Sequence, residues 1–113
     1  LDLSLKQLAE IIHVVEEKKG RDAVLLNLQG ISLVTDYFLI VTGNSSTQVK
    51  AIADNIEEKL PGLDLPILRI EGLPEAKWVL VDCGDIVIHV MTPDTRDFYN
   101  LERLWGDAEV VSF

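Results

Sequence analysis

A single cysteine, Cys83, in 113 residues excludes an internal disulfide and a zinc site built on several thiolates. Basic residues are scarce: 10 Lys and Arg against 19 Asp and Glu leave a net charge of −9. That excess repels polyanions and argues against broad binding along a phosphate backbone, so little direct nucleic-acid binding is expected and a basic protein is the better partner. No apolar run approaches the ~20 residues of a membrane-spanning helix. No basic, apolar, small-residue leader opens the chain, which points to the cytoplasm, although a start at Leu1 rather than Met leaves the natural N-terminus open. Low-complexity tracts, repeats and Pro/Gly-rich linkers are also lacking, so residues 1–113 read as one domain. A chain of this length buries roughly two-thirds of its unfolded surface in a single core.

What is present is concentrated between Glu71 and Trp105. If Gly84-Asp85 forms a two-residue hairpin turn, Cys83 faces Ile86, and Asp82 pairs with Val87, Leu80 with His89 and Trp78 with Met91. Cross-strand partners point the same way, so one face carries Val79, Val81, Cys83, Ile86, Ile88 and Val90. This is a core face, on which Cys83 acts as a small hydrophobe rather than a nucleophile. The other face carries Trp78, Leu80, Asp82, Val87, His89 and Met91. Its mixture of aromatic, thioether, imidazole and carboxylate has the composition of a protein-binding patch, or of a face that another helix of the same chain covers.

Elsewhere the order reads α-β-β-α-β-β-β-α. Ser4 and Gln7 form a capping box before Leu5, Leu8, Ile12 and Val15, and Lys18-Lys19-Gly20 ends that helix, with His13 solvated off its stripe. Ala23–Leu28 reads as a strand, and Tyr37–Thr42 as a central strand buried on both faces. Ser45 or Ser46 caps a second helix with Val49, Ile52, Ala53, Ile56 and Leu60 on one side, stopped by Pro61-Gly62. Pro66–Ile70 is a third strand, the hairpin adds two, and Pro93-Asp94 opens a last helix through Leu104. On that helix Arg96, Tyr99 and Arg103 fall on one side, to recognise, and Phe98, Leu101 and Trp105 on the other, to pack. The fold class is therefore α/β, with a mixed five-stranded sheet and helices.

Chemical motifs are weak. Gly43-Asn44-Ser45-Ser46 joins a strand to a helix start, where free N–H groups can hold an anion, but capping also accounts for the serines. The arrangement is similar to the beginning of a nucleotidyltransferase, which also needs closely spaced carboxylates for two metal ions. Asp82 and Asp85 instead flank a tight turn. His89 has no Ser or Cys on its face, leaving it a hydrogen-bonding member of the patch or a satisfied sheet histidine. No catalytic residue, metal ligand or cofactor site is expected, and the protein reads as no enzyme.

Three blocks, TDYFLIVTGNSSTQVKAIAD, the EG before WVLVDCGDIVIHV, and RDFYNLERLW, together closely resemble the ribosomal silencing factor family, also called Iojap-related proteins. The resemblance spans nearly the whole chain. It implies a fold related to nucleotidyltransferases without their catalytic carboxylates. It further implies binding to large-subunit ribosomal protein L-fourteen at the subunit-joining surface, which blocks the small subunit and lowers translation when nutrients are scarce. Carried over, the contact surface uses Trp78 with Lys77, Leu80 and Asp82, and His89 and Met91 beside them. Arg96, Tyr99 and Glu102 match the family's ending and are partner contacts or structural residues. An exposed patch of this kind also makes a homodimer plausible when no partner is present. A nucleotidyltransferase-type enzyme and a general adaptor using the Trp78 face are the alternatives.

Overall fold

The computed structural model describes residues 3–112. Its elements in chain order are α1 Leu5–Glu17, β1 Arg21–Asn27, β2 Tyr37–Thr42, α2 Ser46–Lys59, β3 Arg69–Glu71, β4 Trp78–Asp82, β5 Ile86–Met91, α3 Pro93–Tyr99, α4 Leu101–Leu104 and β6 Glu109–Val111. They build a single mixed sheet in the order β3-β4-β5-β2-β1-β6. The pair β2 and β5 is parallel and all other neighbours are antiparallel. The expected five strands become six, because β6 adds to the free edge of β1. Three residues with no alternation carry too little pattern to announce a strand.

Both long helices start where side chains satisfy free backbone donors. Ser4 Oγ accepts from the Gln7 N–H at 3.0 Å while Gln7 Oε1 accepts from the Ser4 N–H at 3.1 Å, completing the capping box. Ser45, rather than Ser46, caps α2, accepting from the Gln48 N–H at 3.2 Å. The end of α1 is subtler than a glycine stop. Lys19 adopts the left-handed conformation, and the Gly20 N–H donates to the Val15 carbonyl at 3.0 Å. A Cβ at Gly20 would lie 2.5 Å from that oxygen, so the glycine is required by close approach.

Alternation then sorts the sheet between two cores. Val79, Val81, Cys83, Ile86, Ile88 and Val90 all join Leu25, Leu39 and Val41 beneath α1 and α2. On the opposite face Leu26, Leu28, Ile40 and Met91 pack with Leu101, flanked by Phe38, Trp78 and Trp105. The hairpin register agrees with the alternation at every pair, Trp78 with Met91, Leu80 with His89 and Asp82 with Val87. Gly84 has a positive φ at the first of the two turn positions, and the Asp85 N–H donates to the Cys83 carbonyl at 3.1 Å. The Asp82 carboxylate accepts from the Gly84 N–H at 2.9 Å and closes the same turn.

The last helix departs from expectation. Asn100 takes the left-handed conformation, φ 46° and ψ 63°, and splits the segment into α3 and α4. A left-handed residue resets the helical phase, so positions on either side no longer share a wheel. Phe98, expected to pack with Leu101 and Trp105, is 81% exposed, whereas Leu101 is buried. Arg96, expected on the recognising side, turns inward with a side chain only 11% exposed.

Candidate protein-binding face

The second sheet face is half covered. α3, α4 and Trp105 lie over its middle, leaving Trp78 and Leu80 partly open at the β4 side, with Lys77 exposed beside them. Of the six residues expected to meet a partner, His89 is 3% and Met91 0% exposed. Neither side chain offers a surface in this conformation. Their expected role as contacts is therefore corrected to support: the covering helices, which alternation along the hairpin alone cannot reveal, put them inside the second core.

What they support is the indole. Trp78 Nε1–H donates to His89 Nδ1 at 3.0 Å. The neutral imidazole then carries its own hydrogen on Nε2, which is buried without a hydrogen-bond partner among the described residues. Phe38 meets the His89 ring edge to face with centroids 4.4 Å apart, and Trp105 meets Phe38 in the same way at 5.7 Å. Burial pushes the imidazole down to about 4, so it is uncharged near neutral pH and available as an acceptor. On the outer side Tyr99 packs against Trp78 at 4.7 Å, and Phe98 against Tyr99 at 5.0 Å. A continuous aromatic row thus runs from exposed Phe98 through Tyr99 and Trp78 to the buried imidazole.

The charged residues divide between structure and surface. Asp82 is held twice, by the Gly84 N–H and by Arg69, whose Nε lies 3.4 Å from its carboxylate. Arg96 donates to the Asp22 carbonyl at 2.7 Å, to Thr42 Oγ1 at 2.9 Å and to Glu102 at 3.1 Å. It ties both short helices to the ends of β1 and β2, which gives Arg96 and Glu102 a structural role. Tyr99 remains half exposed on the aromatic row. Exposed Phe98, on the row's outer end, is a surface residue that helical spacing assigned to packing.

Chemical alternatives gain no partner groups. Ser45 is spent on capping, and Asn44 Oδ1 accepts from Arg21 Nε at 2.6 Å. Among the described residues no cluster of three or more His, Cys, Asp or Glu side chains is arranged to hold a metal. Desolvation by burial pushes the Cys83 thiol up to about 11, the opposite of what a nucleophile needs. No helix among the described residues is long and apolar enough to cross a membrane.

Comparison with known proteins places these features. The family described as "Ribosomal silencing factor during starvation" matches residues 2–113. The protein "Ribosomal silencing factor RsfS" of Halalkalibacterium halodurans is 49% identical over 107 residues, covering 95% of this chain and 90% of that protein. Its namesake in Bacillus subtilis is 50% identical over 96 residues, covering 85% and 81%. A crystal structure of a protein from Bacillus halodurans superposes with a TM-score of 0.85 at 42% identity, covering 97% of this chain and 100% of that one.

Proposed function

The chain belongs to the ribosomal silencing factor family, and from that premise we propose that it silences ribosomes in the cytoplasm by occupying the large subunit and excluding the small one. The partner is large-subunit ribosomal protein L-fourteen, and the contact is made by the open part of the second sheet face: Lys77, Trp78, Leu80 and Asp82, continued by Tyr99. The mechanism is steric. No bond is made or broken, and no cofactor or metal takes part.

The observation that carries this reading is the row of rings from Phe98 to Trp78, exposed at one end and anchored at the other by the bond to His89. An exposed ring held in one orientation loses little freedom on binding, which is how a few aromatics come to dominate an interface. The net charge of −9 steers such a face toward a basic protein and away from RNA.

Titration of purified L-fourteen tests the assignment. Trp78→Ala is expected to weaken binding by about 2 kcal/mol or more, as hot-spot aromatics do. Because Trp78 is half buried, Trp78→Phe serves beside it, keeping much of the packing while removing the donor to His89. Circular dichroism would verify that both variants are folded. Unchanged binding by folded Trp78→Ala would move the contact face elsewhere.

A further inference from the structure

A cavity of about 480 Å³ opens beside the contact face, lined by Gly72, Pro74, Glu75, Lys77, Trp78, Thr95 and Tyr99. One wall is set by a close backbone approach. Gly72 has φ +91°, and a Cβ there would lie 2.1 Å from the Trp78 carbonyl oxygen, so only glycine lets the loop pass this close to the strand. The Ala76 N–H donates back to the Gly72 carbonyl at 2.9 Å, and the Thr92 N–H donates to the Lys77 carbonyl at 3.0 Å. This short turn carries Glu75 to the cavity beside the tilted Trp78 and Tyr99 rings, whose planes meet at 50°. The Glu75 carboxylate and the Lys77 ammonium form no ion pair with each other or with any other described residue.

Two features select the sign of what enters. The only polar hydrogen of the Trp78 ring is turned inward to His89, so the indole offers the cavity carbon and π surface and no donor for an anion. Aromatic faces carry negative potential and attract cations, guanidinium groups above all. Glu75 supplies a full negative charge on the same wall, and the protein's acidic balance favours a basic partner at longer range. We infer that this cavity receives a cationic side chain of the basic protein partner, seated against Trp78 and Tyr99 and paired with Glu75. The inference rests on the proposed function and adds the chemistry of the occupant. Lys77, on the rim of the same cavity, opposes it and limits the depth to which the charge enters.

Binding of the large ribosomal subunit to the whole protein at low salt reads the sign directly. Glu75→Gln is expected to weaken binding about threefold and Lys77→Met to strengthen it about threefold, the scale of partly exposed charge pairs. Both effects should shrink as salt rises. Tyr99→Leu should weaken binding about fivefold and Tyr99→Phe by less, since phenylalanine keeps the ring face. Reversed signs at Glu75 and Lys77 would show an anionic occupant, such as an RNA phosphate, and overturn the inference. Equal binding by both charge variants would show a cavity unused in the complex and overturn it as well. If the unaltered protein does not bind the subunit at all, the proposed function fails first and the occupant with it.

Discussion

At the scale of single residues, His89 links the second core to the surface. Neutral, it accepts from Trp78; protonated, it carries hydrogens on both nitrogens and can only donate, so the bond is lost. Its folded-state value of about 4 lies below the ordinary 6.5, so an unfolded chain binds a proton there before the folded one does. The stability contributed by the neutral ring is fully present above pH 6.5 and is lost as pH falls toward 4, by up to roughly 3 kcal/mol. Chemical denaturation across that range should therefore show a steeper decline for the unaltered protein than for His89→Gln, whose side-chain carbonyl can still accept from the indole. Parallel declines would mean that His89 takes up its proton alike in the folded and unfolded protein, and would contradict its burial as a neutral ring.

Among elements, the α3–α4 segment decides what the sheet face shows. It is held by Arg96, spanning the Asp22 carbonyl, Thr42 and Glu102, and it changes direction at Asn100. The Asn100 side chain also accepts from the Arg103 N–H at 3.3 Å. Asn100→Ala combines the strain of a left-handed non-glycine residue with a lost cap, and is expected to cost about 1–2 kcal/mol in thermal or denaturant unfolding. Asn100→Gly should cost less, because glycine adopts that φ freely. An equal loss for both would indicate that the cap alone matters.

The same segment marks the boundary of what the sequence discloses. Local alternation is strong in Trp78–Met91, where every β-branched residue assigned to the core is buried there, and the continuous apolar run Tyr37–Thr42 forms a strand whose limits agree with those expected. Capping chemistry located the starts of α1 and α2. The phase break at Asn100 left no such trace, since asparagine is also compatible with a helix, and Phe98 and Arg96 were consequently assigned to each other's environments. The burial of His89 and Met91 depends on residues that follow them and fold back, a long-range contact that periodicity does not encode. β1 begins earlier than expected, at Arg21, because a bulge between Arg21 and Val24 interrupts its alternation. β3 begins later, at Arg69, after the Leu68 N–H has reached the Asp82 carbonyl at 2.8 Å.

For the whole molecule, the face proposed to meet a partner is also a liability when no partner is present. Phe98, Tyr99 and Leu104 are all exposed around the end of the aromatic row, and such apolar surface favours self-association. Light scattering of the free protein should report a homodimer that dissociates as L-fourteen is added. A species of monomer mass at every concentration would contradict self-association through this face. Association with a basic partner should weaken as salt rises, in keeping with the acidic balance of the chain.

On the proposed function, one small domain, by its bulk and through the Trp78 face, keeps ribosomal subunits apart. Sedimentation of purified large and small subunits with this protein tests it most directly. The protein should co-migrate with the large subunit and reduce the fraction of joined ribosomes, and folded Trp78→Ala should do neither. Joined ribosomes in undiminished amount while the protein remains bound to the large subunit would contradict steric exclusion.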